Sequence, residues 1–144
     1  MRVDSLRGLI AGLAAVATVA ASARAQDEPA PDGVAVRLVP PEHVHEGDRT
    51  EVMVEVRVRP AGRAPLLLTP TSEGQAVEVV RGRLLRADAV DPAAEVLRFR
   101  LPIVARAVGT SVLRVRVRAY TCRARCRLVE ATEAATLRVE RAGP

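Results

Sequence analysis

Lysine is absent from this chain and aromatic residues nearly so: all 22 basic side chains are arginine, and Phe99 and Tyr120 are the whole aromatic complement. With two rings there is no stacking platform of the kind that readers of RNA and single strands use, so no nucleic-acid partner is expected. The formal charge of +5 over 144 residues, carried only by arginine, points to a GC-rich coding sequence more than to a polyanion partner. Chemistry-bearing residues are scarce as well. There are two histidines, His43 and His45, and two cysteines, Cys122 and Cys126. The serines lie in no G-x-S-x-G context and no histidine–acid partner for a hydrolytic triad is identifiable. No pair of carboxylates can be assigned to a cleft, and no cofactor is expected.

One apolar run exists, and it stands at the start. Arg2 and Arg7 precede Leu9–Ala20, and Ala23-Arg24-Ala25 fits a small-x-small cleavage site, so residues 1–25 read as a secretory signal. The run is too short and too alanine-rich for a span of about 20 strongly apolar residues, and no other stretch approaches that length. Cleavage would leave Gln26 first, with no cysteine nearby to carry a lipid. Losing Arg2, Arg7, Arg24 and Asp4 would lower the net charge from +5 to +3. The remainder suits one domain with a single core, and the expected location is exported, periplasmic or extracellular.

After an acidic, Pro-rich lead at 26–33, "QDEPAPDG", which reads as a disordered tether, the pattern has period two. "TEVMVEVRV" sets Thr50, Val52, Val54, Val56 and Val58 against Glu51, Glu55 and Arg57. "EVLRFRL" sets Leu97, Phe99 and Leu101 against Arg98 and Arg100, and "VLRVRVRA" sets Leu113, Val115, Val117 and Ala119 against Arg114, Arg116 and Arg118. Such alternation marks half-buried strands. Further strands are predicted at 34–39, 65–69, 75–80, 83–88 and 136–141. Pro40-Pro41, Gly47-Asp48, Pro60, Pro70, Gly74, Gly82, Pro92 and Gly109 punctuate them. Seven to nine short strands over 34–144, with no helical periodicity, predict an antiparallel immunoglobulin-like β-sandwich.

"AYTCRARCRLVE" is the stretch on which function turns. If the chain reverses through Arg123-Ala124-Arg125, Cys122 faces Cys126, Tyr120 faces Leu128, Ala119 faces Val129 and Arg118 faces Glu130. That register joins opposite charges on one face and apolar groups on the other, both favourable cross-strand pairings. Facing cysteines in a non-hydrogen-bonded antiparallel pair stand at about the separation a disulfide tolerates. Counting by twos from Val115 and Val117 puts Cys122 on the outer face with the arginines and Tyr120.

Three uses of the pair remain open. In an exported protein two cysteines form a structural disulfide as a rule, although a five-residue loop stabilises by only about 2 kcal/mol, against about 4.7 for a hundred-residue loop. Accessible, arginine-flanked cysteines instead suit redox exchange, because positive charge favours the departing thiolate. Metal binding is the third use, and "CRARC" alone is a weak signal for it. His43 and His45, two apart beside Glu42, Glu46 and Asp48, could share a copper or zinc ion on an extended segment. A solvated loop explains them as well, unless the cysteine hairpin comes near enough to complete the coordination. The arginine row at 114, 116 and 118 suits either an anionic polymer or a solvent-facing strand balanced by acids.

The segment "LRFRLPIVARAVGTSVLRVRVRAYTCRARCRLVEATEAATLRVE" resembles the N-terminal immunoglobulin-like domain of the DsbD thiol:disulfide interchange family. The likeness lies in Leu101-Pro102-Ile103, the Gly109 turn, a long strand reaching Tyr120 and Cys122, a second cysteine at 126 and a final strand. It implies that Cys122 and Cys126 pass electrons by disulfide exchange to a periplasmic, thioredoxin-like partner, with Tyr120 as a shield over them. The other reading is a non-catalytic binding or structural module whose disulfide fixes a turn.

Overall fold

The computed structural model describes residues 33–144, so the expected signal and nearly all of the acidic lead lie outside the described residues. Eight strands form: β1 (Gly33–Val39), β2 (Arg49–Arg59), β3 (Leu66–Glu73), β4 (Val77–Val79), β5 (Leu84–Leu85), β6 (Val96–Ala105), β7 (Gly109–Cys122) and β8 (Cys126–Val139). They make two four-stranded sheets, β1-β2-β6-β4 and β5-β3-β7-β8, with antiparallel pairing throughout. The fold is the predicted immunoglobulin-like β-sandwich.

Alternation in the sequence becomes inside and outside. Val52, Val54 and Val56 of β2, Leu97, Phe99 and Leu101 of β6, and Leu113, Val115 and Val117 of β7 are all buried in one cluster. Full burial of a side chain of this size contributes about 1.5–3 kcal/mol. Thr50, at the entry to β2, is half-buried. Residues on the opposite face pair by charge, as where Glu55 meets Arg98 at 3.3 Å and Arg37 at 3.7 Å.

Several strand boundaries differ from those predicted; β6 also runs four residues past Leu101 and β7 begins three before Val112. β3 runs through Pro70 to Glu73, because β5 covers only Leu67 and Leu68; beyond them β3 is an edge, where a missing N–H is tolerated. The segment predicted as strand 83–88 pairs only at Leu84 and Leu85, then turns into a 3-10 helix, Arg86–Asp88, as the Asp88 carboxylate accepts the Leu85 N–H at 2.7 Å. The strand predicted at 75–80 shortens to β4. The one predicted at 136–141 is the end of β8, which begins ten residues earlier at Cys126.

β1 and β8 are edges of opposite sheets and run in the same direction side by side. An isolated parallel bridge, His45 to Glu140, ties them beyond their far ends, with Glu46 N–H donating to Glu140 O at 2.9 Å and Glu140 N–H to Val44 O at 2.8 Å. Glu133 sits on the inward parity of β8, opposite buried Val115, yet stays exposed. An inward charge on an edge strand discourages pairing with another chain.

Candidate functional site: the hairpin disulfide

β7 and β8 pair continuously from Gly109 with Val139 to Cys122 with Cys126. The predicted register holds at all four positions: Ala119 faces Val129, Arg118 faces Glu130, Tyr120 faces Leu128, and the cysteines face each other. Cys122 and Cys126 form a disulfide with Cα atoms 4.0 Å apart, nearer the spacing of a non-hydrogen-bonded pair than that of a hydrogen-bonded one. Arg123 N–H donates to Arg125 O at 3.3 Å across the turn.

The site's position follows from where the third strand stops. β3 begins at Leu66, opposite Ala119, and past that rank only Tyr120 N–H reaches it, donating to Pro65 O at 3.3 Å. Ala119 and Thr121 still face the core and are buried, whereas residues 122–128 are all exposed. The tip is therefore a two-stranded projection with the disulfide as its last rank. Tyr120 is 48% exposed and Leu128 41%; they lie one outward rank below the sulfurs, on the same face. Tyr120 stands beside the disulfide as the resemblance implies, and at this exposure it is an open contact as much as a cover.

Charge around the tip is lopsided. Arg118, Arg123, Arg125 and Arg127 fall within 118–130, with Glu130 the single acid. Glu130 already receives Arg116 at 2.8 and 3.0 Å and Arg118 at 2.8 Å. Arg114 meets Glu73 at 3.4 Å. The arginine row is thus a solvent-facing strand laced to acids across the sheet. The Arg116 hydrogen bonds, followed by the charges of Arg116 and Arg118, hold the Glu130 carboxyl below its usual range.

The histidines are elsewhere. His45 sits beside the bridge to Glu140, past the end of a strand that starts at Cys126, and 14 residues of strand at about 3.3 Å each separate that end from the cysteines. The cysteine hairpin therefore cannot complete a site with His43 and His45. Locally, His45 N–H donates to Asp48 Oδ2 at 2.8 Å and Asp48 N–H to His45 O at 3.0 Å, the bonding of a tight turn closed by Gly47 at φ +91°. His43 lies 3.8 Å from Glu42. Among the described residues no group of three or more His, Cys, Asp or Glu side chains is placed to hold a metal ion, and no helix is long and apolar enough to cross a membrane.

A shallow depression, open to solvent, is lined by Val58, Ala61, Gly62, Arg86, Ala94, Glu95 and Leu97. It has room for little more than a water molecule, too little to enclose a small ligand. Its one buried-side charge, Arg86, donates to Ala64 O at 2.9 Å and so holds the loop.

Leu128 joins the cysteines and Tyr120 at the site, and the signal that marks it as outward is the register that opposes it to Tyr120.

No family model matches the chain, and no curated protein matches it. Among solved structures it is similar to the alpha-2-macroglobulin of E. coli in its native conformation, with a TM-score of 0.53 and 16% identity over 80% of this chain. The chain spans only 7% of that protein's length. The likeness is one of fold: an all-β, immunoglobulin-like module.

Proposed function

We propose that this chain is an exported immunoglobulin-like domain that exchanges electrons through the Cys122–Cys126 disulfide with a thioredoxin-like dithiol protein. The observation that carries the reading is the exposure of the disulfide at the outermost rank of a projecting hairpin. A stapling disulfide gains most from closing a long loop between elements that would otherwise part. This one closes five residues between strands already registered over their whole length. Exchange needs an accessible sulfur and a stabilised leaving thiolate, and the tip supplies the first by exposure and the second by its arginines. The leader-like residues 1–25 and the disulfide itself suit an oxidising, exported compartment.

A second reading is favoured by the absence of a third strand beyond Ala119. A two-stranded end is marginal in water, and the disulfide would then serve to fix it in a non-catalytic binding module. The reduction potential separates the two. Thiol trapping of the purified protein across defined redox buffers should give about −200 mV or higher for an exchanging pair. A value below about −300 mV would establish the staple and overturn the exchange reading.

A further inference from the structure

We propose that Tyr120 and Leu128, framed by the tip arginines, form the surface on which the dithiol partner docks, and that the partner is a thioredoxin-fold protein with an acidic margin around an apolar active-site groove. This inference rests on the exchange reading above and adds to it a defined surface and a partner chemistry.

The exposed large apolar side chains elsewhere, Val39, Val80, Leu85, Val90 and Val108, lie at strand ends and turns, and none of them faces another across a ladder. Scattered residues of that kind are ordinary on any surface. Tyr120 and Leu128 differ. They are direct cross-strand neighbours, and the next outward rank above them is the disulfide. Together the four side chains make an apolar stripe two residues wide and two ranks deep, running to the end of the hairpin.

Its frame is cationic. Below the stripe lies the rank of Arg118 and Glu130, and at the turn beyond it are Arg123 and Arg125, while Arg127, opposite Thr121, falls on the other face of the ribbon. An apolar centre with tyrosine at its core and arginine at its rim has the composition of a protein interface. The excess of positive charge selects an acidic partner and speeds its approach.

The chemistry requires such a platform. A thiolate of the partner attacks one of the two sulfurs, an intermolecular S–S bond forms, and the Cys122–Cys126 bond breaks. The leaving thiolate takes a proton from solvent. The partner's second thiol, once deprotonated, attacks the mixed disulfide, so the partner leaves as a disulfide and the hairpin as two thiols, two electrons and two protons having passed to it. An apolar floor one rank below the sulfurs removes water from the attack complex and holds the partner while its second thiol acts.

The test compares two reductants on the full chain: reduced thioredoxin as the protein probe and dithiothreitol as one too small to use the platform. In Y120S/L128S the second-order rate with thioredoxin should fall on the order of tenfold, as expected for loss of an interface centre, while the rate with dithiothreitol stays within about twofold. R125E, at the exposed turn, should slow both reductants by removing a charge that stabilises the leaving thiolate, but should slow thioredoxin several-fold more than dithiothreitol, and that excess should shrink at high salt. Equal effects on both reductants, or none on either, would overturn the docking surface. So would a thioredoxin rate that falls with rising concentration of the unaltered chain but not of Y120S/L128S, since a second copy would then be the occupant. If dithiothreitol opens the unaltered hairpin and thioredoxin does not, the exchange reading itself is removed, which is a different result from loss of the platform.

Discussion

Glu130 faces Arg118 across the β7–β8 ladder, yet both of its carboxylate oxygens receive the diagonal Arg116, at 3.0 and 2.8 Å. Arg118 contributes one contact at 2.8 Å. A single nitrogen of Arg116, Nη2, reaches both oxygens, whereas Arg118 Nε reaches only Oε1.

A pH dependence follows from this pairing. The Glu130 carboxyl is held down chiefly by the Arg116 hydrogen bonds, and that of Asp88 by the Leu85 N–H and then Arg81. A carboxyl with a lower pKa in the folded than in the unfolded chain stabilises the fold fully above its unfolded value. That contribution is lost as pH falls through the folded one. Carbon-detected NMR titration should therefore find Glu130 titrating below an ordinary glutamate, and Arg116→Gln should raise it more than Arg118→Gln does. The reverse order would mean that direct opposition, and not the diagonal contact, sets the pairing.

Removing the disulfide should cost little. Chain-entropy scaling gives about 2 kcal/mol for a loop this short, and every core side chain lies below the rank of Tyr120 or on the far side of the sheet from it. The variant with Cys122 and Cys126 both changed to Ala should unfold cooperatively in urea with an unchanged m-value and a midpoint lowered by about that energy. A loss above about 4 kcal/mol would show that the tip organises the sandwich and would favour the structural use of the bond.

The hairpin was legible because two independent signals agree there: the parity of Val115 and Val117 fixes which residues face out, and the Arg118 to Glu130 opposition fixes the offset. The full extent of β8 was not. Its inward positions Val129, Ala131, Glu133 and Ala135 are weakly apolar or charged, since the strand's first half overhangs the core, so the alternation that marks a strand disappears. Pairing with β7, a tertiary effect, imposes the strand. β3 was cut short at Pro70 for a related reason, because an edge position is a property of the sheet. Whether the disulfide exchanges or staples was equally hidden, as both uses need the same residues in the same register.

Of the glycines among the described residues, the one in the β3–β4 turn has the least room for a side chain. Gly74 has φ +107°, and a Cβ there would stand 2.9 Å from Ser111 Oγ and 3.0 Å from Thr110 O. Ser111, itself buried, accepts the Val77 N–H at 3.0 Å, while Ser72 Oγ donates to Val77 O at 2.7 Å. Gly74→Ala thus adds a strained dihedral and a clash with backbone, and should destabilise by about 1–3 kcal/mol. Ser111→Ala leaves a buried N–H without its acceptor, at a similar cost of about 1–3 kcal/mol. The two share one contact, so the double variant should lose less than the sum; full additivity in denaturant unfolding would show that Gly74 and Ser111 act apart.

The two aromatic residues should respond oppositely to truncation. Phe99 is fully buried in β6 among Val54, Leu97 and Leu101, and its replacement by Ala removes a large side chain from a core with no other ring to refill the space. The expected loss is about 3–5 kcal/mol, a large fraction of the stability of a domain this size. Tyr120 contributes its backbone N–H to Pro65 O, which any side chain retains, and projects its ring outward. Tyr120→Ala should therefore shift the urea midpoint by no more than about 0.5 kcal/mol equivalent. If Tyr120→Ala destabilised the fold as Phe99→Ala does, the ring would be a structural support for the hairpin, and its exposure beside the disulfide would no longer argue for contact with a partner.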